Sequence, residues 1–416
     1  MATFPIAKLS DCVELLAGFA FKSQHFTDRP DDIPLVKGEN VSQGCILWDI
    51  SKRWSAADWT NFKKYQLMPG DVVVAMDRPW VPAGLKWAYI RKNDPKALLV
   101  QRCSRLRSCT PKLDQDFLRF VIGGPGFESY VRPITTGVNV PHISGKQILD
   151  YDFPLPPLPI QRRIAGILSA HDELIENSQR RIKILESMAR GLYREWFIHF
   201  RFPGHESVPR VPSPMGEIPK GWEGAFGDIS TIDRVGINPF DFPNEEFEHY
   251  SIPAFDDGCS AAIETGETIR SNKYCIDKDC VLLSKLNPRI PRVWLPSPTE
   301  SRRSITSTEF LVLRPKSGVS REFIYGKCCS DDFAAQFAGL AIGTSTSHQR
   351  VRPENVLAMP STVPTHAVIE QFTTRTAPML AASDQLRLKI QNLRRTRDLL
   401  LPRLLSGQID VEAMAS

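Results

Sequence analysis

Two loops hold most of the side chains of this chain that are best suited to contact a polyanion, and each follows a short apolar run. The first run is 72–76 and the second is 280–283. Arginine and lysine bind phosphates and guanine edges, while asparagine matches the edge of adenine. The residues selected on this ground are Lys37, Arg78, Trp80 and Lys86 in the first half, and Lys285, Asn287, Arg289 and Arg292 in the second. Taken singly, each could equally be a solvated loop charge or, for Trp80, a core side chain.

A second pair of polar segments also recurs, Gly-Val-Asn-Val-Pro-His at 137–142 and Gly-Thr-Ser-Thr-Ser-His at 343–348. The side chains there that could approach a polyanion are Thr136, Asn139, His142, Thr344, Ser345 and His348. The alternative, which we favour, is a turn whose hydroxyl groups satisfy nearby backbone groups. Basic residues cluster as well at Arg102, Arg105 and Arg107.

Catalytic patterns are absent or incomplete in this sequence. Asn238-Pro239-Phe240 is one proline short of an Asn-Pro-Pro-aromatic methyltransferase loop, and no glycine-rich cofactor loop precedes it. There is no Gly-x-x-x-x-Gly-Lys phosphate loop and no Gly-x-Ser-x-Gly motif. The nine cysteines are scattered without a Cys-x-x-Cys pair, which is typical of reduced structural thiols. The sequence therefore predicts no catalytic residue, no metal site and no cofactor bound by this chain.

The two halves of the chain repeat one another. These pairs share an offset of 206 residues (323 less 117): Phe117 and Phe323, Phe127 and Phe333, Gly137 and Gly343, His142 and His348. Asp71, before the first apolar run, matches Asp279 at an offset of 208 (279 less 71). A period this long indicates an internal duplication and not a solenoid of short repeats.

Each half ends in a long amphipathic pattern. From Ile160 the apolar residues recur at steps of three and four, through Leu174/Ile175 and Met188, and form one narrow seam suited to a helical partner. Some 38 residues of helix would make a rod of about 57 Å. The second seam begins at Ile369, and Pro378 is predicted to kink or interrupt its first turns. Two rods with matching seams are expected to pack on each other in opposite directions, around a pseudo-twofold axis.

The predicted fold class is α+β, with two globular α/β domains separated by two long helices that form an antiparallel coiled coil. The predicted boundaries are 1–157 for the first globular domain, 158–200 for the central helix, 201–220 for a linker rich in proline and glycine, 221–365 for the second globular domain, and 366–410 for the C-terminal helix.

In order and in duplicate, several segments closely resemble the specificity subunits of type I restriction-modification systems. Pro-Leu-Pro-Pro-Leu at 154–158, with Trp196-Phe197 at the far end of the helix, resembles the central spacer of that family. The run 399–407, Leu-Leu-Leu-Pro-Arg-Leu-Leu-Ser-Gly, resembles its C-terminal spacer. The segments 18–23 and 215–222 resemble the openings of its two target-recognition domains.

The resemblance implies a non-catalytic subunit whose two recognition domains each read one half of a split, asymmetric sequence in double-stranded DNA. It implies that the helices act as a ruler and as a dock for two modification subunits, which are adenine methyltransferases. Two restriction subunits would then complete an ATP-dependent nuclease. S-adenosylmethionine, ATP and Mg are accordingly expected on the partner subunits.

The rival interpretation is a two-armed scaffold that holds proteins and does not read DNA. The basic loops argue against it, and a net charge of +5 with a pI near 8.7 tilts the chain mildly towards polyanions. No apolar run reaches the roughly 20 residues that a membrane span requires, and no signal peptide is visible. We therefore expect a cytoplasmic protein without a membrane partner.

Overall fold

A computed structural model describes residues 4–135, 141–342, 349–409 and 411. The chain divides into two compact units. Unit 1 consists of residues 1–175 and 392–416, and unit 2 consists of residues 176–391. Both divisions fall inside a long helix, whereas the predicted domain boundaries lie at the helix ends.

Unit 1 is built from short strands and helices followed by the start of a long helix. Its strands are β1 (Ile6–Lys8), β2 (Val13–Ala17), β3 (Ile33–Val36), β4 (Gln43–Gly44), β5 (Arg53–Trp54), β6 (Gln66–Leu67), β7 (Val72–Ala75), β8 (Trp80–Val81), β9 (Gly84–Leu85), β10 (Trp87–Tyr89), β11 (Ala97–Leu99), β12 (Cys103–Ser108) and β13 (Asp152–Pro154). Its helices are α1 (Leu9–Cys12), α2 (Gln115–Ile122), α3 (Pro125–Ile134), α4 (Gly145–Leu149) and the first half of α5 (Leu158–Tyr193).

Two mixed sheets form most of the strand part of unit 1, beside the two-stranded pairs β1-β13 and β8-β9. One has the order β2-β12-β7-β10-β4 and the other β5-β3-β11-β6. Neighbouring strands are antiparallel except for the parallel pairs β10/β4 and β11/β3. Strand β7 is central and buried at every residue, as a run of three valines and an alanine favours. The end of this buried strand positions the first candidate loop.

Unit 2 repeats this plan. Its strands are β14 (Arg210–Ser213), β15 (Gly216–Pro219), β16 (Glu223–Ala225), β17 (Ser230–Asp233), β18 (Gly236–Ile237), β19 (Glu246–Tyr250), β20 (Ala262–Thr265), β21 (Lys273–Ile276), β22 (Val281–Ser284), β23 (Val293–Trp294), β24 (Arg303–Ser307), β25 (Phe310–Pro315) and β26 (Pro360–Thr362). Its helices are α6 (Phe226–Ile229), α7 (Ile252–Asp256), α8 (Arg321–Cys328), α9 (Asp331–Gly339), α10 (Pro353–Leu357) and most of α11 (His366–Leu405). Its two larger sheets have the orders β17-β25-β22-β23 and β18-β21-β24-β19-β20.

Matching elements confirm the internal repeat. In each unit an early strand pairs with the strand that directly precedes a long helix, β1 with β13 and β16 with β26. The buried strand β7 lies beside β12, and its counterpart β22 lies beside β25. Helices α2, α3 and α4 then recur in the same order as α8, α9 and α10.

The two long helices run in opposite directions within unit 1. Ile164 and Leu168 of α5 share a buried cluster with Leu404 of α11. Further along α5, Asp172 is ion-paired at 2.9 Å with Arg397, which comes earlier in α11. Because residue numbers rise along one helix as they fall along the other, the packing is antiparallel.

Unit 2 shows the same antiparallel packing at its own part of the helices. Glu186 of α5 is ion-paired with Arg387 of α11. Later in α5, the ring of Tyr193 lies 6.0 Å from that of Phe372, which comes earlier in α11. Phe197, in the π-helical turn that follows α5, lies 5.1 Å from the same ring. The predicted fold class is confirmed.

Charged networks tie the helices to the globular part of each unit. In unit 1, Asp172 accepts hydrogen bonds from Arg119 of α2 at 3.2 Å and from Arg397 at 2.9 Å. In unit 2, Asp384 accepts one from Ser297 at 2.6 Å and one from Arg387 at 2.9 Å. Burial raises the pKa of Asp384, which the two hydrogen bonds partly oppose. Such groups are costly to bury alone, so each network favours one register of helix on domain.

The seam of α5 differs in detail from the predicted one. Its buried positions include Leu168, Ile175, Ile182 and Ala189, spaced seven residues apart. The predicted seam residue Met188 is 51% exposed, because the adjacent Ala189 faces inward instead. In the same way, Leu174 is 46% exposed and the adjacent Ile175 is buried. Helix α11 also continues through Pro378, so the predicted interruption does not occur. Within the described residues, no helix is both long and apolar enough to cross a membrane.

Replacement of Phe372 tests the contribution of the helix seam to stability. Phe372 is 1% exposed, so Phe372→Ala should lower the free energy of unfolding by about 3–5 kcal/mol through lost burial and a cavity. Leu388→Ala on the same helix removes a side chain that is 47% exposed and should cost about 0.5 kcal/mol or less. Denaturant titration of both variants measures the difference. Equal losses would contradict the packing described.

Candidate nucleic-acid interface

The loop after β7 turns at Arg78, whose backbone lies in the left-handed region. Its φ is 45°, a conformation that costs a residue with a side chain about 1–2 kcal/mol. Hydrogen bonds hold the turn: Met76 N donates to Arg102 O at 2.8 Å, and Arg78 N donates to Pro141 O at 2.7 Å. The Arg78 side chain is exposed. A constrained backbone therefore carries an exposed guanidinium.

Three of the four residues predicted in the first half line one open cleft in unit 1. The cations on its wall are Lys22, Lys37, Arg78, Lys86 and Arg102, and the carboxylates are Glu39 and Asp77. Positive charge therefore exceeds negative charge in this cleft. A concave site with such an excess raises the local concentration of an anionic ligand.

Contacts within the cleft hold two of its lysines in place. Lys86 Nζ donates to the carbonyl oxygen of Gly38 at 2.9 Å, which ties β9–β10 to the loop after β3. Lys37 Nζ lies 3.0 Å from a Glu39 carboxylate oxygen and 5.7 Å from the centre of the Phe26 ring. An ammonium group has three donors, so each lysine retains capacity for a phosphate.

Asp77 joins three segments at the edge of this cleft. Its carboxylate is ion-paired with Arg102 and lies 2.5 Å from Nδ1 of His142. Partial burial raises the pKa of Asp77, but the hydrogen bonds from His142 and Arg102 outweigh it and hold the pKa below its ordinary value. Arg102 itself has a φ of 69°. The loop after β7, the β11–β12 turn and the segment that starts at Pro141 thus meet at one carboxylate.

Trp80 lies outside this cluster. It belongs to the β8–β9 hairpin and packs partly buried against the main hydrophobic cluster of unit 1. The guanidinium of Arg132 lies 4.6 Å from the centre of its ring. A role of Trp80 in binding stays a prediction, and the structure does not bring it together with Lys37, Arg78 and Lys86.

The loop after β22 in unit 2 is built in the same way. Asn287 has a φ of 51°, Lys285 N donates to Glu309 O at 2.9 Å, and Asn287 N donates to Gln349 O at 2.9 Å. Ile290 N closes the turn on Asn287 O at 2.8 Å. Arg289 is exposed at its tip. In the described part of the chain, neither Lys285 nor Arg289 has an ion-pair partner.

Lys86 and Arg292 occupy equivalent places in the two units. Ala75 N, at the end of β7, donates to Lys86 O at 3.1 Å, and Ser284 N, at the end of β22, donates to Arg292 O at 2.9 Å. The Arg292 guanidinium makes two hydrogen bonds to Asp256, at 2.7 and 2.9 Å, and its side chain is 11% exposed. Its contact with an outside ligand stays a prediction, and it is the predicted residue most engaged within the protein.

Lys22 and Arg102 are site candidates that the sequence did not single out. Arg102 stands in a basic cluster, but its neighbours Arg105 and Arg107 are paired with Glu14 and Asp71. Sequence spacing alone does not show which arginine faces the cleft, because strand β12 begins only after Arg102. Lys22 had no signal beyond its place in the opening segment of the domain.

The hydrogen-bond register corrects two matches between the repeats. Strands β7 and β22 align Val72 with Val281, an offset of 209 (281 less 72), so Asp279 lies one position before the equivalent of Asp71. Asp77 bridges to His142, and the equivalent Leu286 bridges to Arg350, so His142 corresponds to Arg350 and not to His348. The offset there is 208 (350 less 142), because the second copy gains two residues after α9. Most of the polar segments predicted there lie outside the described residues: Thr136, Gly137, Asn139, Gly343, Thr344, Ser345 and His348.

Fold and loops together define a duplicated α/β protein that presents an equivalent polar loop in each unit. Residues 2–187 match the family described as type I restriction modification DNA specificity domain. The EcoAI specificity subunit of a type I restriction enzyme from Escherichia coli is 32% identical over 173 residues, which are 42% of this chain and 28% of that protein. The chain thus spans less than a third of the length of this relative.

Other similarities extend further along the chain. The MjaIX specificity subunit of a type I restriction enzyme from Methanocaldococcus jannaschii is 24% identical over 320 residues, which cover 74% of this chain and 72% of that protein. The crystal structure of the S subunit of a type I restriction-modification system from M. genitalium has the same fold. It aligns with a TM-score of 0.60 at 14% identity and covers 97% of this chain and 96% of its own. The family model thus places a type I restriction modification DNA specificity domain in residues 2–187, and the solved S subunit shows the same fold over nearly the whole chain.

Glycine at position 78 tests the backbone strain of the first loop. Glycine adopts a positive φ without steric cost, so Arg78→Gly should raise the free energy of unfolding by roughly 0.5–1 kcal/mol. Lys22 is a matched control in the same cleft, with a φ of −76°, and Lys22→Gly should lower stability instead. Thermal unfolding of both variants gives the two signs. A loss of stability in Arg78→Gly would contradict the strain.

Proposed function

We propose that this chain is the DNA sequence-specificity subunit of a type I restriction-modification complex, in which each unit reads one half of a split, asymmetric target. The observation that carries the proposal is the pair of equivalent loops at Arg78 and Asn287. Both follow a central buried strand, both contain a left-handed residue, and both present cations. The family whose model matches residues 2–187 supports the general role.

Different side chains on a shared backbone account for an asymmetric target. Arg78 in unit 1 is replaced at the equivalent position of unit 2 by Asn287. Arginine makes paired hydrogen bonds to guanine, whereas asparagine makes them to adenine. Loops on a common scaffold can diverge in this way without disturbing the core, so the two units are suited to read different bases.

The long helices would set the spacing of the half-sites and dock the modification subunits. Half-sites on one face of B-DNA lie about 34–36 Å apart, a distance that a rod of about 57 Å can span rigidly. Exposed apolar side chains on the unit 2 part of the helices support docking: Ile184 is 53% exposed, Met188 51% and Leu388 47%. Ile184 and Met188 are one turn apart on the same helix face, and contiguous exposed apolar patches are typical of protein interfaces.

The proposed complex assigns its chemistry to other chains. Two modification subunits would supply adenine methylation with S-adenosylmethionine, and two restriction subunits would supply nuclease activity with ATP and Mg. This chain would contribute DNA recognition without a catalytic residue or a cofactor of its own. Its site of action would be the cytoplasm, where the DNA is.

Base-resolved mapping of adenine methylation tests this function. In cells that express the chain with its neighbouring modification subunit, methylation should appear at a two-part motif with a fixed gap, and the motif should vanish when this gene is removed. If methylation is unchanged by the gene, the chain is not a specificity subunit. If the assembled complex then shows no salt-dependent binding to DNA, the interpretation as a protein scaffold is favoured.

Alanine in place of an exposed loop arginine tests the assignment of half-sites. Arg289→Ala should weaken binding of the assembled complex by about 1–3 kcal/mol, or roughly 5- to 150-fold, only on duplexes that retain the half-site of unit 2. Arg78→Ala should have the same effect on the other half-site. Arg270→Ala removes an equal charge from another exposed position of unit 2 and serves as the control. Equal weakening of binding to random DNA would show that Arg289 contacts a phosphate and does not read a base.

A further inference from the structure

Ion pairs stand beside both candidate loops, although only the pair in unit 1 includes a residue of the loop itself. In unit 1 the pair joins Asp77, in the loop after β7, to Arg102, and the same carboxylate also binds His142. In unit 2 the pair joins Glu309, in the turn between β24 and β25, to Arg350, with two hydrogen bonds at 2.9 and 3.0 Å. Thus Asp77 links the turn at Arg102 to the segment at His142 in unit 1, whereas Glu309 and Arg350 link the corresponding turn and segment directly in unit 2.

The hydrogen-bond register shows that these contacts join equivalent segments of the two units. Arg102 O accepts from Met76 N, and Glu309 O accepts from Lys285 N, so Arg102 and Glu309 occupy one position. His142 and Arg350 occupy a second position, as their backbone bridges to Asp77 and Leu286 show. The acid has changed place: it stands in the loop at Asp77 in unit 1 and in the turn at Glu309 in unit 2, where Leu286 occupies the position of Asp77. The connection has therefore been kept while its chemistry has changed.

These contacts act on the residue with a left-handed backbone through the segment beside the loop. Arg78 N donates to Pro141 O, next to His142, and Asn287 N donates to Gln349 O, next to Arg350. If the segment at 141–143 or 349–351 moved away, this hydrogen bond would be lost and the strained turn could relax. The direction of the Arg78 or Asn287 side chain thus depends on the pair beside it.

We propose that Asp77 and Glu309 are positioning residues for DNA reading, each fixing the loop of its own unit so that the side chain at Arg78 or Asn287 meets one base pair. The proposal rests on the proposed function. It predicts an effect of the carboxylates on DNA affinity that is opposite in sign to the effect of their charge alone. Removal of an acid from a basic cleft should strengthen DNA binding in general, because a repulsive charge near phosphates disappears. Removal of a positioning acid should weaken DNA binding and lower the sequence selectivity in one half of the target.

The test compares the methylation motif and the DNA affinity of the assembled complex for Asp77→Asn and Glu309→Gln. With Asp77→Asn, the half-motif of unit 1 should become less stringent while the other half stays intact, and Glu309→Gln should give the reverse. On duplexes with the mapped motif, each variant should bind about tenfold or more weakly, the equivalent of one lost charge-assisted hydrogen bond. On duplexes with the affected half scrambled, affinity should change little.

Two further variants keep the outcome decisive. Asp28→Asn removes the same charge from an exposed pair with Lys52, outside the cleft, and should leave the motif unchanged. Arg102→Gln removes the partner of Asp77 from a side chain that is 67% exposed, so it tests the same connection if Asp77→Asn fails to fold. Arg102→Gln should make the same half-motif less stringent, as Asp77→Asn does.

The possible failures are distinguishable. A wild-type chain that directs no split motif overturns the proposed function and this inference with it. A wild-type motif that Asp77→Asn and Arg102→Gln both leave intact overturns the inference alone. Tighter binding of Asp77→Asn to every duplex, or blurring of both half-motifs at once, also overturns it, since either result indicates a general charge or folding effect.

Discussion

Burial of the helical seam against the globular part of each unit is the interaction on which the rest of this structure depends. In unit 1 the buried cluster contains Ile164 and Leu404 from the two helices together with Phe117 from α2. In unit 2 the corresponding cluster contains Phe197 and Phe372 together with Phe323 from α8. Neither helix closes a core by itself, and neither globular part has a complete core without them. Hydrophobic burial therefore makes helix pair and domain a single unit in each half of the chain.

Charge then selects one arrangement among those that burial allows. A hydrophobic seam can slide by a turn with modest loss, because apolar contacts have little directional preference. The pairing of Asp172 with Arg119 and Arg397 is specific to one register, and so is the pairing of Arg387 with Glu186 and Asp384. Asp384 has a raised pKa because it is buried, so its hydrogen bonds are needed to keep it charged at low cost. These networks stand where helix and domain meet.

The candidate loops lie at the ends of the best-buried strands, β7 and β22. A rigid strand delivers the loop to a fixed place, and backbone hydrogen bonds then hold a left-handed residue there against its conformational preference. Since this scaffold is common to both units, divergence is confined to side chains such as Arg78 and Asn287. That is the physical basis on which one duplicated fold can present two different recognition surfaces.

The fold class, the repeat and the two long helices were predictable from the sequence. The signals for these features are local in sequence, so they are visible without coordinates. They are the apolar periodicity along the helices of 36 and 40 residues, the valine-rich runs and the proline-rich breaks. The resemblance to type I specificity subunits rested on motifs of the same local kind. Details of the seam were less predictable, because Leu174 and Ile175 are equally apolar and only packing decides which faces inward.

The composition of the candidate site was decided by the tertiary structure. Lys37, Arg78 and Lys86 meet Arg102 and Lys22 in one cleft because strands distant in sequence are neighbours in the sheets. Trp80, chosen on the same grounds, stacks on Arg132, and Arg292 binds Asp256. The exchange of His142 for Arg350 and of Arg102 for Glu309 also becomes apparent only from the hydrogen-bond register. Sequence determined which residues could bind a polyanion, whereas long-range pairing determined which of them converge, because a side chain's neighbours depend on contacts that local spacing does not encode.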